Sequence, residues 1–326
     1  MKRLAVVVIF FFVLAGSWFS LSCGSSFFSL STIIGALRDS ASFPYESTVL
    51  RHIRIPRLLA GFFVGAGLSL SGVVLQAILK NPLAESYTLG ISGGACLGVA
   101  AGLFFASSLW VPFFAFIGGT AAVFFVLSLG GSNRFSPAML LLLGVMMNFI
   151  FSSLSLLVVS SFHHAKFLQT VVWLMGDLNS SPELLVRIMP LVLIPCAMAI
   201  WLFHRDFDLF SLGEEKARSL GLATRKKRII WILLVSLITS FSVSIAGIIG
   251  FVGLVIPHAA RFISGAEHRH TIPAAFFIGG AFLVITDTLA RVLIRPYEIP
   301  VGVMSGFFGG ILFLLMLVRE TRRSVW

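Results

Sequence analysis

The stretch LLAGFFVGAGLSLSGVVLQAIL, residues 58–79, runs without a single charged side chain. A helix of about 20 apolar residues is long enough to cross the hydrocarbon core of a lipid bilayer. Amphipathic helices on the surface of soluble proteins instead carry polar side chains on one face. The stretch therefore predicts a transmembrane helix, and its small residues Gly65, Gly67 and Gly72 predict close packing against other helices.

The composition of the whole chain agrees with a membrane protein. The 326 residues are 58% hydrophobic and 11% charged, whereas roughly 25% are charged in a typical soluble domain. Apolar segments run about 4–21, 58–79, 89–107, 110–129, 138–160, 185–203, 229–247, 250–263, 273–294 and 301–318. Because no strand pattern or separate soluble domain is evident, we predict an all-α integral membrane protein with about ten transmembrane helices, forming a single domain over residues 1–326.

The distribution of basic residues predicts the orientation. Lys and Arg concentrate in alternate loops, most densely at Arg225-Lys226-Lys227-Arg228. Cytoplasmic loops carry such an excess, so both termini are predicted to be cytoplasmic, and residues 22–57 form an outer connection with a helix-like piece near Leu30–Arg38. The net charge of +11 then needs no nucleic-acid partner, since the 33 Phe lie in apolar runs.

The first apolar segment allows two interpretations. Lys2 and Arg3 before an apolar run are typical of a signal peptide, and Cys23 suggests a lipoprotein cleavage site. We favour a retained first helix, because the rest of the chain is also embedded in the membrane. Cys23, Cys96 and Cys196 show neither a CxxC pair nor metal-ligand spacing, so no metal site is predicted.

Arginines at the outer ends of two predicted helices are candidate partner-binding residues. Arg54 and Arg57 precede the second apolar segment, and Arg291 follows Asp287 by four residues in the ninth. The arginines could anchor the helices at lipid headgroups, or they could bind carboxylates of a protein that docks from outside. Asp287 and Arg291 could also neutralise each other, because side chains four residues apart share a helix face.

Residues 204–228 form the largest cytoplasmic segment, and residues 210–222 within it predict a short amphipathic helix. Glu214 and Arg218 are spaced for an i,i+4 ion pair, and Gly221 fits a C-cap. The helix could be a solvated surface element or the attachment site of a cytoplasmic partner. The chain contains no phosphate-binding P-loop sequence. We therefore predict no cofactor on this chain, and any ATP that drives it binds to another chain.

An enzymatic alternative rests on Gly90-Ile91-Ser92-Gly93, which matches the GxSG pattern of rhomboid intramembrane serine proteases. Such catalysis needs a histidine that takes the proton of the serine, and His258 is the histidine placed in an apolar segment. The sequence contains no HExxH pattern and no pair of intramembrane aspartates. We predict that the chain is not an enzyme, and an ion-coupled secondary transporter is the other alternative.

Several motifs together resemble the FecCD-type permeases of ABC importers for ferric siderophores, haem and vitamin B12. They keep the order of that family over nearly the whole chain: Arg54-Ile-Pro-Arg57, Asn81-Pro-Leu-Ala84, Gly93-Gly94-Ala95, Trp173-Leu-Met-Gly176, Gly213-Glu-Glu215, Ser219-Leu-Gly221, the run from Gly247 to His258, Asp287 with Arg291, and Glu298-Ile-Pro-Val-Gly302. The resemblance implies a homodimer in a bacterial or archaeal cytoplasmic membrane. It also implies two ABC ATPase subunits inside and a substrate-binding protein outside.

The resemblance further implies roles for particular residues. Arg54, Arg57 and Arg291 would meet acidic residues of the binding protein. The segment that couples to the ATPase would contain Leu212, Gly213, Glu214, Glu215, Ala217, Arg218 and Gly221. The pathway would lie between two subunits, with a cytoplasmic gate near Ser136, Pro137 and Ala138. Hydroxyl residues often line that gate, and Pro and Ala replace two of them here.

Candidate substrate contacts lie on the fifth apolar segment and in an outer loop. Met146 and Asn148 on the fifth apolar segment could face the pathway or the lipid. His163 and His164 in an outer loop could touch a metal chelate, or they could simply be solvated. On the resemblance, we predict a ferric siderophore or a similar metal chelate as substrate, with vitamin B12 or haem as alternatives.

Overall fold

The computed structural model describes residues 2–24, 26–105, 107–129 and 136–324, and these ranges contain helices and connecting loops but no strand. The helices are α1 (Lys2–Ser22), α2 (Leu30–Arg38), α3 (Pro44–Val49), α4 (Ile55–Leu79), α5 (Ile91–Phe105), α6 (Val111–Leu129), α7 (Pro137–Ser160), α8 (His164–Leu174), α9 (Glu183–Leu202), α10 (His204–Leu212), α11 (Glu214–Ser219), α12 (Thr224–Ala246), α13 (Val252–Ser264), α14 (His268–Val292) and α15 (Val301–Ser324). The predicted all-helical fold is confirmed.

Every predicted apolar segment overlaps one of these helices. Among the described residues, six helical stretches are long and apolar enough to cross a membrane: Pro44–Leu79, Ser108–Leu129, Pro137–Ser160, Glu183–Leu202, Thr224–Ala246 and His268–Val292. Four shorter apolar helices accompany them: Val6–Ser22, Ile91–Phe105, Val252–Ser264 and Val301–Met316. The fold is therefore a multi-pass helical bundle.

Helix α4 is the centre of this bundle. It packs against α9, α12, α13 and α14, and residues 64–79 are all buried. A Cβ atom at Gly65 would lie 2.3 Å from the carbonyl oxygen of Gly279 on α14, and one at Gly72 would lie 1.9 Å from that of Gly253 on α13. The predicted close packing at these glycines is therefore confirmed, because both positions bring backbones into contact.

Two short elements differ from the prediction. Helix α8, only 11 residues long, lies where a loop containing His163 and His164 was predicted. The stretch over residues 210–222, which was predicted as one cytoplasmic helix, is split into α10 and α11 by Gly213, whose φ of 105° is incompatible with a continuous helix. Both elements are too short to stand out in a search for apolar runs of membrane length.

Candidate functional site

A cluster of charged side chains joins α4, α14 and the connection that follows α14, at the end of the bundle predicted to lie outside. Arg57 on α4 donates from Nε to both oxygens of Asp287, at 3.1 and 3.0 Å, and from Nη2 to Oδ1 at 2.9 Å. Its Nη1 donates to Glu298 at 2.8 Å. The Nε atom of Arg291 lies 3.2 Å from Asp287. Two cations are thus balanced by two carboxylates.

The four charged side chains of this cluster differ in how far they are exposed to solvent. Arg57, Asp287 and Arg291 are buried, whereas the side chain of Glu298 is 46% exposed. The interpretation in which Asp287 neutralises Arg291 describes only part of this arrangement, because Asp287 makes its closest contacts to Arg57. A buried charge is stable only when it is paired and hydrogen-bonded, so this cluster fixes the start of α4 to the end of α14.

Arg54 lies outside this cluster and contacts the segment that follows α1. It ends the π-helical turn Leu50–Arg54, and its guanidinium donates to the backbone carbonyls of Leu21, Ser22 and Ser26. The ring of Phe28 lies 4.0 Å from the guanidinium carbon. Arg54 is 3% exposed. It therefore ties the end of α1 to the start of α4.

The use of these arginines in docking stays a prediction. In the single chain the three guanidinium groups are all occupied by contacts within the chain. A carboxylate arriving from outside would most readily reach Arg57 by replacing Glu298, since Glu298 is the exposed partner.

The predicted coupling segment is an exposed bend at the opposite end of the bundle. Leu212, Glu215, Arg218 and Leu220 are exposed, while Ala217 is buried against the membrane helices. Gly221 has a φ of 87°, its N–H donates to the carbonyl of Arg218, and the N–H of Leu222 donates to that of Ala217. This pair of bonds is the Schellman C-cap expected for Gly221, so that prediction is confirmed.

Glu214 fastens the segment to α12. It accepts hydrogen bonds from Arg218 at 2.6 Å and from Arg228 at 2.9 Å, and Arg228 is 2% exposed. Partial burial alone would raise the pKa of Glu214, but Arg228 and Arg218 together hold that pKa below its ordinary value. The carboxylate is therefore ionised at neutral pH, and α11 is held by charge at its first residue.

The predicted gate residues have structural contacts of their own. Ser136 caps α7 by accepting a hydrogen bond from the Met139 N–H at 3.2 Å, with Pro137 in the first turn and Ala138 exposed. Met146 is 52% exposed on α7. Asn148 instead turns toward α5, where its side-chain oxygen accepts from Ser92 and the Gly93 N–H at 2.9 and 2.7 Å. That oxygen therefore takes part in the contact between α5 and α7.

The geometry at Ser92 does not favour the protease alternative. Its hydroxyl donates to the amide oxygen of Asn148, which cannot take a proton as a catalytic base does. The Nδ1 atom of His258 lies 2.8 Å from the carbonyl of Leu254. Among the described residues, no group of three or more His, Cys, Asp and Glu side chains could hold a metal ion.

The chain is similar to known proteins over most of its length. The model of the FecCD transport family matches residues 10–319. The Fe(3+) dicitrate transport system permease protein FecD of Escherichia coli is 36% identical over 83% of this chain and 85% of its own length. The cobalamin import system permease protein BtuC of Halobacterium salinarum is 37% identical over 83% of this chain and 73% of its own length.

A solved structure is similar over the full length. A chain from an inward-facing ABC transporter, assigned to the metal-chelate type, superposes with a TM-score of 0.85 and 28% identity, covering 98% of this chain and 99% of that one. The family match spans nearly all the helices, including those that carry the charged cluster of Arg57 and Asp287 and the bend of α10 and α11. This chain belongs to the FecCD transport family, whose members are membrane permeases of ABC importers.

Proposed function

We propose that this chain is the permease subunit of an ATP-driven importer for a ferric siderophore or a similar metal chelate. In this proposal the chain crosses a bacterial or archaeal cytoplasmic membrane ten times, with both termini inside, and forms a homodimer. Two ABC ATPase subunits bind inside, and a substrate-binding protein docks outside. ATP binds to the ATPase subunits, and this chain changes no bond in the substrate.

The observation that carries the proposal is the exposed bend of α10 and α11. Exposed apolar side chains at Leu212 and Leu220 lie on an element that is otherwise charged and fastened to α12 by Glu214. Such side chains on the cytoplasmic side are well suited to a groove in a partner protein. A secondary transporter would need no such attachment point, and the family membership favours an ABC ATPase as the partner.

Two of the relatives support the choice of substrate class. The names of FecD and BtuC refer to iron dicitrate and cobalamin, which are both metal chelates. A ferric chelate is our first choice, and cobalamin or haem is the alternative.

The orientation can be tested with cysteine labelling. Tyr297 and Leu220 are 75% and 62% exposed at opposite ends of the bundle, so a cysteine at either position should be reachable. In a variant whose three native cysteines are replaced by alanine, we expect a membrane-impermeant maleimide to label Tyr297→Cys on intact cells. When the chain is expressed without an ATPase that would cover this position, Leu220→Cys should be labelled only after lysis. Labelling of Leu220→Cys on intact cells would overturn the proposed topology.

The function itself can be tested through Glu214. Glu214→Arg would place a third cation beside Arg218 and Arg228, and like charges at this distance repel. We expect the wild-type chain to co-purify with a co-expressed ABC ATPase from its own genome. Glu214→Arg should reduce the ATP-driven uptake of ferric siderophore in proteoliposomes by at least roughly tenfold, or about 1.4 kcal/mol.

The control for that experiment is Glu183→Arg, an exposed change at the other end of the bundle, where Glu183 pairs with Arg187. It should leave ATPase association and uptake within about twofold of wild type. Failure of the wild-type chain to bind any ABC ATPase of its genome would refute the ABC assignment, and uptake driven by an ion gradient would favour the secondary transporter.

A further inference from the structure

The short helix α10 packs against α4 and α14, and two neighbouring carboxylates join it to α12 and α14. Asp206 accepts a hydrogen bond from the indole N–H of Trp231 on α12 at 3.0 Å, and it lies 2.9 Å from the ammonium of Lys227, one turn earlier on α12. Asp208 lies 2.7 Å from Nδ1 of His268 and accepts from the His268 N–H at 3.1 Å, at the first turn of α14. Each carboxylate therefore fastens α10 to a different helix.

An aromatic side chain fills the space between these two attachments. Phe207 is fully buried, and its ring centroid lies 5.0 Å from that of Trp231 and 5.9 Å from that of His268. Trp231 and His268 are themselves 4% and 5% exposed. Close-packed buried side chains move together rather than deform, so α10 cannot shift without displacing the start of α12, the start of α14, or both.

Both carboxylates of α10 are stabilised by the groups that they contact. Burial would raise the pKa of Asp208, but hydrogen bonds from the backbone and side chain of His268 hold that pKa below its ordinary value. The Asp208 carboxylate is therefore charged at neutral pH, and hydrogen bonds to a charged group contribute more than neutral ones. Asp206 is 8% exposed and shared between an N–H donor and a cation.

Both attached helices lead to the outer end of the molecule. Helices α12 and α14 each pack along α4, the buried central helix. At its outer end α14 carries Asp287, which is bound by Arg57 of α4. At its outer end α12 is followed by Gly247, whose Cβ position would lie 2.2 Å from the carbonyl oxygen of Trp173.

We propose that Asp206 and Asp208 are positioning residues that transmit the movement of the cytoplasmic bend to α12 and α14. This inference rests on the proposed function, since it supposes that an ATPase moves the bend. Helix α11 provides the surface that contacts the ATPase. Helix α10 passes the movement to α12 through Asp206 and to α14 through Asp208. Removing the carboxylates should leave ATPase binding intact. The movement of α10 and α11 should then no longer reach the outer ends of α12 and α14.

The test is hydrogen–deuterium exchange of the full permease–ATPase complex in nanodiscs, compared between the nucleotide-free state and the state trapped with Mg-ATP and vanadate. The variants are Asp206→Ala and Asp208→Ala, singly and combined. Asp206→Asn should behave close to wild type, because its amide oxygen can still accept from Trp231. Arg205→Gln is the matched control, since Arg205 is an exposed charge on the same helix.

In the wild-type complex, nucleotide should alter exchange in residues 204–222 and at the outer ends of α12 and α14, near residues 244–250 and 290–300. In the combined alanine variant, the change in residues 204–222 should persist, ATP hydrolysis should stay within about twofold, and the change at the two outer ends should fall by at least half. Trp231→Phe keeps an aromatic ring at this position but removes the N–H donor and one ring of the indole, so it should reduce the change at residues 244–250.

The outcomes separate the two hypotheses. If the wild-type complex shows no nucleotide-dependent change in residues 204–222, the proposed function is wrong, and this inference is overturned with it. If the wild-type complex responds and the alanine variants keep its full response at both outer ends, the positioning role is wrong while the proposed function stands. The single variants could also lose ATP hydrolysis together with the exchange change at the outer ends of α12 and α14. That result would show a general structural defect and would also overturn the positioning role.

Discussion

Replacing Gly72 with alanine is expected to destabilise the folded chain by about 3 kcal/mol or more. The added Cβ would lie 1.9 Å from the carbonyl oxygen of Gly253 and 2.7 Å from its carbonyl carbon. Both are backbone atoms of the α13 region, so no flexible side chain can give way. Helices α4 and α13 would have to move apart, and the loss of contact would spread along their interface.

The measurement is an unfolding titration of the purified chain with SDS in mixed micelles, followed by circular dichroism. Gly61→Ala on the same helix is the matched control, because its Cβ would meet Leu178 and Val284 at ordinary contact distances of 3.4 and 3.5 Å. Alanine is favoured over glycine within a helix by about 1 kcal/mol, so Gly61→Ala should be neutral or slightly stabilising. Equal stability of the two variants would contradict the backbone contact between α4 and α13.

The apolar segments and some local motifs could be predicted from the sequence because their causes are local. A run of apolar residues has no alternative to burial in lipid or protein, and α2 has the bounds Leu30–Arg38 that its pattern suggested. The cap at Gly221 follows from the freedom of glycine to adopt a positive φ. The same freedom lets Gly213 interrupt the stretch predicted as one helix, and a glycine before two glutamates is a usual point for a helix to restart.

The pairing of charges could not be predicted because it depends on tertiary structure. Arg57 and Asp287 are 230 positions apart in the chain, and no local pattern indicates which of several carboxylates an arginine will meet. The i,i+4 rule selected Arg291 as the partner of Asp287 and missed Arg57, its closer partner. Asp206 and Asp208 were missed for the same reason, since their partners lie on α12 and α14.

The second large effect is expected at Asp287, the carboxylate shared by two buried arginines. Asp287→Ala would leave Arg57 and Arg291, which are 6% and 7% exposed, with one remaining carboxylate, the half-exposed Glu298. Removing one partner of a buried ion pair typically costs about 3–5 kcal/mol, because the other charge stays buried without compensation. We expect a loss of this size in the same SDS titration.

Glu183→Ala is the matched control, because Glu183 and Arg187 also form an i,i+4 ion pair, at 2.6 Å, but with side chains 57% and 75% exposed. An exposed pair contributes about 0–1 kcal/mol, so this variant should unfold almost as the wild type does. The contrast between the two carboxylates isolates the effect of burial from that of the ion pair itself.

A double variant distinguishes unpaired charge from lost packing. Arg57→Met in the Asp287→Ala background removes one of the two guanidinium groups that Asp287 balanced and keeps a long apolar side chain. One cation, Arg291, and one carboxylate, Glu298, then remain in the cluster. If uncompensated charge causes the loss, the double variant should be more stable than Asp287→Ala alone, by about 1–3 kcal/mol. A double variant less stable than either single variant would contradict the ion-pair interpretation. The result also bears on docking. Arg57→Glu would place a carboxylate against Asp287, and this repulsion could unfold the end of the bundle that carries the cluster before it affected a binding protein.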